Sequence, residues 1–269
     1  MLETALGVEN LTLNHLMAKT ALFVQINKSS DLSFSNKPIG YASGFFFKYN
    51  EDFFFITADH IPHYDDYNSG KRTGNGDLFA VHTNEVDRTR LAAKIAPMAG
   101  AYYFDNFNLD KIDEGPKPFD LCICKLKDEQ VCQDYYTQHI DFPDEPLNAG
   151  EHKYAISPEF VEQPSKDDTY YVFGHICFGV KGLYLQQYAV PHSNLRFIDT
   201  SGDYFLLNTE SVIESDENWS GLSGSLVYNQ KGGCIGMLSS INVNSKSVWV
   251  LSFKTILCLL DCVYKQEHM

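Results

Sequence analysis

The chain has 269 residues, 44% of them hydrophobic and 14% aromatic, enough for an extensive core in one two-lobed unit. Its formal charge of −14 repels phosphates and no basic stripe offsets it, which argues against nucleic acid as a partner. No run of about 18 apolar residues occurs, which argues against a membrane helix, and the start, MLETALGVEN, has neither the basic nor the apolar region of a secretory signal.

In chain order, short apolar and aromatic runs alternate with turn residues, the spelling of strands. ALFVQI (21–26) precedes a polar loop. SGFFFKY (43–49), the turn NED and FFFITA (53–58) spell a hairpin. DLFAVHT (77–83) follows. Residues 101–118, rich in Asp, Asn, Lys and Pro, read as a long exposed loop, and FDLCICKL (119–126) as the next strand. Later candidates are KYAIS (153–157), TYYVFGHICF (169–178), GLYLQQYAV (182–190), YFLLNT (204–209), GSLVYN (224–229), GCIGMLSSINV (233–243) and VWVLSF (248–253). One helix is expected, at about 254–265, with Ile256, Leu257, Leu260 and Val263 on one face. No internal repeat is visible. Many short strands with few helical patterns indicate an all-β sandwich or barrel pair. The Pro- and Asp-rich stretch 141–153 divides it, giving an N-terminal segment (1–18), two lobes (19–150 and 151–253) and a terminal helical segment (254–269).

Seven cysteines, at 122, 124, 132, 177, 234, 258 and 262, leave at least one unpaired. None has zinc-site spacing. Cys122 and Cys124 alternate with Leu121 and Ile123 as buried strand thiols do, and Cys258 and Cys262 read as helix core. Together these features favour a reducing cytosol.

Three stretches carry chemistry. FFFITADHI places His60 after a strand, KPFDLCICKL places Asp120 at the head of one, and WSGLSGSLV places Ser223 in a glycine-flanked turn before a third. A serine hydroxyl needs a neighbouring base to remove its proton, an imidazole serves near neutral pH, and a buried carboxylate fixes the imidazole tautomer. Gly221, lacking a Cβ, can turn its N–H toward the site. With the N–H of Ser223 it forms a two-donor oxyanion hole, in which losing one donor costs about 10²–10³ in rate. This chemistry needs no metal or organic cofactor.

These regions, SGFFFKYNEDFFFITADHI, FDLCICKL and SGLSGSLVYNQKGGCIGMLSS, resemble the signatures of trypsin-like serine endopeptidases of the chymotrypsin fold, nearest in kind to the intracellular, disulfide-free, mostly bacterial members. The histidine follows Thr57-Ala58-Asp59, the serine lies in Gly-x-Ser-Gly, and the order His, Asp, Ser is that family's. The resemblance covers roughly residues 19–255. It implies two antiparallel six-stranded β-barrels with a C-terminal α-helix, an acyl-enzyme on Ser223, and a protein or peptide substrate. It also implies that Ser239, Ser240 and Ile241 pair with the substrate backbone. Glu217, with Asp216 beside it, falls where that family places the base of the S1 pocket, implying a basic P1 residue. The chain departs from the family at Leu222, where secreted members carry the aspartate of the zymogen switch, and at Ser225, where a second glycine is common. Asp59 is a third departure, and at a strand-to-loop boundary it is expected to point to solvent.

Plainer readings compete. Ser223 alone is an ordinary turn serine, with Ser220 and Ser225 as rivals outside the Gly-x-Ser-Gly register. Asp110 and Asp113 rival Asp120 but lie in a polar stretch. His60 and His63 spell a His-x-x-His pair without a third metal ligand. Two further functions stay open: a catalytically silent protease-fold module that binds a peptide, and an effector that cleaves one partner when an activating or sensor protein engages it.

Overall fold

The structure, a computed structural model, describes residues 2–8, 11–63, 72, 76–84, 94–106, 117–142, 145–181 and 184–269, with backbone alone for 177–187. Its first half is a seven-stranded antiparallel sheet. In chain order these strands are β2 (Leu22–Asn27), β3 (Gly40–Tyr49), β4 (Asp52–Thr57), β5 (Leu78–His82), β6 (Ile95–Pro97), β7 (Ala101–Asn106) and β8 (Lys117–Lys125). Their order across the sheet is β6-β5-β2-β3-β4-β8-β7. The expected six-stranded first barrel is therefore corrected to an open sheet of seven strands, with β6 and β7 at its edges. The expected loop at 101–118 is corrected as well. Residues 101–106 form β7 and residues 117–118 begin β8, while 107–116 lie outside the described residues. Tyr102, Tyr103 and Phe104 on β7 are half-buried, as suits an edge strand.

The second half closes into a six-stranded antiparallel barrel, as expected. Its strands are β10 (Tyr170–Lys181), β11 (Tyr184–Ser201), β12 (Tyr204–Ile213), β13 (Leu226–Asn229), β14 (Cys234–Ile241) and β15 (Ser245–Ser252), closed in the order β10-β11-β12-β15-β14-β13. A two-residue parallel pair, β1 (Glu3–Thr4) with β9 (Tyr154–Ala155), ties the N-terminal segment to the connection between the halves.

The terminal helix spans Phe253–Glu267, with Ser252 as N-cap accepting from the Thr255 N–H at 3.2 Å. It is α3 in chain order, after α1 (Leu13–Thr20) and the short α2 (Asp128–Val131). The helix buries Phe253, Ile256, Leu260 and Val263, and Phe253 packs on Phe45 and Phe47 of β3 (centroids 5.9 and 5.6 Å). Cys258 and Cys262 are exposed, correcting their assignment to the core, whereas Cys122 and Cys124 are buried as expected. The helix α1 was not expected. Thr12 caps it by accepting from the His15 N–H at 3.3 Å, and the carbonyls of Ala18 and Ala21 at its end accept from Lys153 Nζ (2.6 Å each).

The two halves meet over aromatic rings. The run Phe45, Phe46, Phe47, Phe54 and Phe55 is fully buried. Phe23 of β2 stacks on Tyr41 (5.1 Å) and meets two histidine rings, His82 at 4.8 Å and His175 of β10 at 5.8 Å. Among the described residues no helix is long and apolar enough to cross a membrane.

Candidate active site

The register between β4 and β8 builds the first half of the site. Thr57 pairs with Cys122, so in this antiparallel pair the chain leaving β4 runs alongside Asp120. The carboxylate is 1% exposed. Its Oδ1 accepts from the His60 backbone N–H at 3.1 Å and from His60 Nδ1 at 2.9 Å. Its Oδ2 accepts from the Ser239 hydroxyl. Asp120 thus stands inside β8, three residues past its start, not at the head of the strand.

The electrostatics follow from these contacts. Burial alone would lower the His60 pKa, but the charge of Asp120, its hydrogen bond and the charge of Asp59 outweigh that and raise it above 6.5. Burial alone would raise the Asp120 pKa, but the charge and hydrogen bonds of His60, with the Ser239 hydroxyl, hold it below 3.8.

The second half of the site is the turn before β13. The Trp219 and Ser220 N–H groups both donate to the Asp216 carbonyl (2.8 and 2.7 Å), and Leu222 N–H donates to Trp219 (3.0 Å). Gly221 and Gly224 have φ of +100° and +90°, a region that disfavours side chains. A Cβ on Gly224 would stand 2.1 Å from the Ser43 carbonyl oxygen. That contact belongs to a staple between the halves. Ser43 of β3 donates its N–H to the Ser223 carbonyl (3.1 Å) and its hydroxyl to the Gly221 carbonyl (2.8 Å). Among the described residues, neither the Gly221 nor the Ser223 N–H is given to a protein acceptor.

The Ser223 hydroxyl donates to the Ser239 carbonyl at 3.3 Å. Ser239 therefore links the turn, through its carbonyl, to Asp120, through its hydroxyl, and Asp120 links to His60. That position of the Ser239 hydroxyl was not anticipated, because its partner lies 119 residues away on another strand. Ser240 is exposed and Ile241 half-buried at the end of β14. Asp216 and Glu217 are exposed. A cavity of about 430 Å³ beside the turn is walled by residues that include His192, Leu195, Glu214 and Trp219, with His192 stacked on Trp219 at 3.7 Å, and Glu217 is not in its wall. Leu222 is fully buried in the barrel core.

Of the rivals, Ser220 is exposed and Ser225 is buried, its hydroxyl without a partner among the described residues. Asp110 and Asp113 lie outside the described residues. His63 turns not toward His60 but to Asp59, its Nδ1 2.7 Å from Oδ1. Asp59 itself is fully buried, which corrects its expected exposure. A strand-to-loop position faces solvent only when nothing covers it, and here Arg72 and β7 do.

No protein-family model matches the chain, and no curated protein matches it. Solved structures do match. The serine endoprotease from Yersinia pestis superposes with a TM-score of 0.50 at 12% identity, over 94% of this chain and 65% of the Yersinia chain. The chain thus spans somewhat less than two thirds of that protein's length. The structure of GrC matches with a TM-score of 0.47 at 13% identity, over 92% of this chain and 95% of that one. The tobacco vein mottling virus protease matches with 0.44 at 10%, over 89% and 79%. At 12% identity the likeness to the Yersinia endoprotease is one of architecture: this chain, with its closed barrel, curled companion sheet and C-terminal helix, has a broadly chymotrypsin-like fold.

Proposed function

We propose that the chain is a serine endopeptidase. Ser223 is the nucleophile, His60 the general base and acid, Asp120 the group that orients His60, and the N–H groups of Gly221 and Ser223 the oxyanion hole. One observation carries the reading: the buried Asp120 carboxylate holds the His60 imidazole, and Ser239 ties that carboxylate, through its hydroxyl, to the Ser223 hydroxyl, which its carbonyl accepts.

Nδ1–H of His60 donates to Asp120, which leaves Nε2 as the basic nitrogen. The Ser223 hydroxyl turns from the Ser239 carbonyl, gives its proton to Nε2 and attacks the peptide carbonyl. The negative charge on the tetrahedral intermediate is met by the two N–H groups. Collapse expels the amine, which takes the proton from His60, and water then attacks the acyl ester by the same route. The substrate backbone runs along Ser240 and Ile241 as an added strand, and Glu217 favours a basic P1 residue. The cytoplasm is the proposed compartment, in keeping with free thiols at the six cysteines whose side chains are described.

A partner-activated effector is the second reading. It is favoured by the engagement of the Ser223 hydroxyl with the Ser239 carbonyl, from which a partner would release it. The test is fluorophosphonate labelling and cleavage of a peptide library by the wild type and by Ser223→Ala. Labelling and cleavage after Lys or Arg, both lost in the variant, are expected. Activity that survives in Ser223→Ala removes the nucleophile assignment, and cleavage after apolar or acidic residues removes the role of Glu217.

A further inference from the structure

The residue before His60 is held by its own pair of donors. Asp59 is fully buried. Its Oδ1 accepts from His63 Nδ1 and its Oδ2 from Arg72 Nε, both at 2.7 Å. The backbone adds a third tie, from the His63 N–H to the Asp59 carbonyl at 3.3 Å. Residues 59 and 63 are therefore joined through both main chain and side chain, and the loop between them carries His60.

The clamp is anchored on β7. Arg72 donates to Asp105 Oδ1 at 2.5 Å and to the Phe104 carbonyl, and its guanidinium lies 5.6 Å from the Tyr103 ring centroid. The His63 ring meets the same Tyr103 edge-on at 4.5 Å. Gly76 closes the remaining side, since a Cβ there would stand 2.7 Å from His63 Nε2. A buried carboxylate is costly unless paired. This one has two donors, and both pack on the edge strand β7, four places from β2 in the sheet.

We propose that Asp59, clamped by His63 and Arg72, is a positioning residue for His60, fixing the turn that presents the imidazole and placing a second negative charge beside it. This rests on the reading of His60 as the general base. Among the described residues, the charged groups acting on the ring include Asp120 on β8 and Asp59 on its own turn, with Arg72 and Asp105 beyond Asp59. Cys122 on β8 and Tyr103 on β7 also lie near that carboxylate. Burial, with lesser contributions from neighbouring charges, pushes Cys122 and Tyr103 upward, so both stay neutral where His60 titrates. The charge of Asp59 acts on His60 in the same sense as that of Asp120.

The experiment follows the His60 imidazole by NMR titration in the wild type and in Asp59→Asn, beside the pH profile of kcat/KM for peptide cleavage. Asparagine is close in shape and removes the charge. The His60 midpoint is expected to fall, and the acid limb of kcat/KM to move with it. An unmoved midpoint in a folded variant overturns the inference. Should Asp59→Asn fail to fold, Arg72→Gln removes the compensating cation and keeps the carboxylate. Its midpoint is expected to rise, and no rise overturns the inference equally. The titration does not depend on turnover. A shifted midpoint in a protein that cleaves and labels nothing removes the endopeptidase reading and keeps the positioning one. An unshifted midpoint in an active enzyme does the reverse.

Discussion

His175 offers a quantitative test of how the two halves are joined. It is 1% exposed on β10, neither ring nitrogen has a hydrogen-bond partner among the described residues, and Phe23 and Phe173 meet its ring edge-on at 5.8 and 5.9 Å. Burial, helped by the charges of Lys153 and His82, pushes its pKa from 6.5 down to about 3. His82, across Phe23, falls to about 4 through burial. Both values are depressed, so the unfolded chain binds protons before the folded one does. Stability is then full above about pH 6.5 and declines as pH falls toward the folded values. At about pH 5, each histidine sits roughly 1.5 units below its unfolded midpoint, a loss of about 2 kcal/mol apiece. Against a typical total of about 5–15 kcal/mol that is a large fraction. In His175→Phe, the drop in unfolding free energy between about pH 8 and pH 5 should shrink by about 2 kcal/mol. Urea unfolding followed by tryptophan fluorescence at both pH values measures it. The absolute stability also changes, because phenylalanine removes two unpartnered nitrogens but is slightly larger, so the difference between the two pH values is the diagnostic quantity. An equal loss in both proteins refutes the assignment of acid sensitivity to this ring.

Two further outcomes follow from the site. Ser239→Ala removes a hydroxyl bond to a buried carboxylate, worth about 1.5–3 kcal/mol, so kcat/KM for peptide cleavage should fall about 10–100-fold; an unchanged rate would detach Ser239 from the orientation of His60. Gly224→Ala forces a Cβ to 2.1 Å from the Ser43 oxygen at φ +90°. It should lower the melting temperature by several degrees, as about 1 kcal/mol or more of strain does, and a variant melting with the wild type would mean that the halves do not abut there.

The three residues proposed for catalysis were visible to sequence reasoning because each sits where local spelling is strong: a Thr-Ala prefix after a phenylalanine strand, an aspartate before Leu-Cys-Ile-Cys, and a Gly-x-Ser-Gly turn. Asp59 was not, because its fate depends on Arg72, 13 residues on, and on Tyr103 in a different strand. The first half misled for a related reason. The edge strand β7, AYYFDN, ends in polar residues and is only half-buried, so its composition matches that of a loop, and the three residues of β6 carry no period at all. Helix α1 has eight residues and runs almost directly into β2, so its apolar residues merge with the strand's. Cys258 and Cys262 each fall two residues after a buried position, Ile256 and Leu260. At about 100° per residue they point away from the packed face, a placement the helical period contained once the face was chosen.

The staple at Ser43 has a mechanical meaning. The bend that carries Ser223 takes part of its shape from a strand in the opposite half, through one amide, one hydroxyl and a gap too narrow for a methyl group. The pose of Ser223 is therefore set by both pieces jointly, through contacts that cross the seam between them.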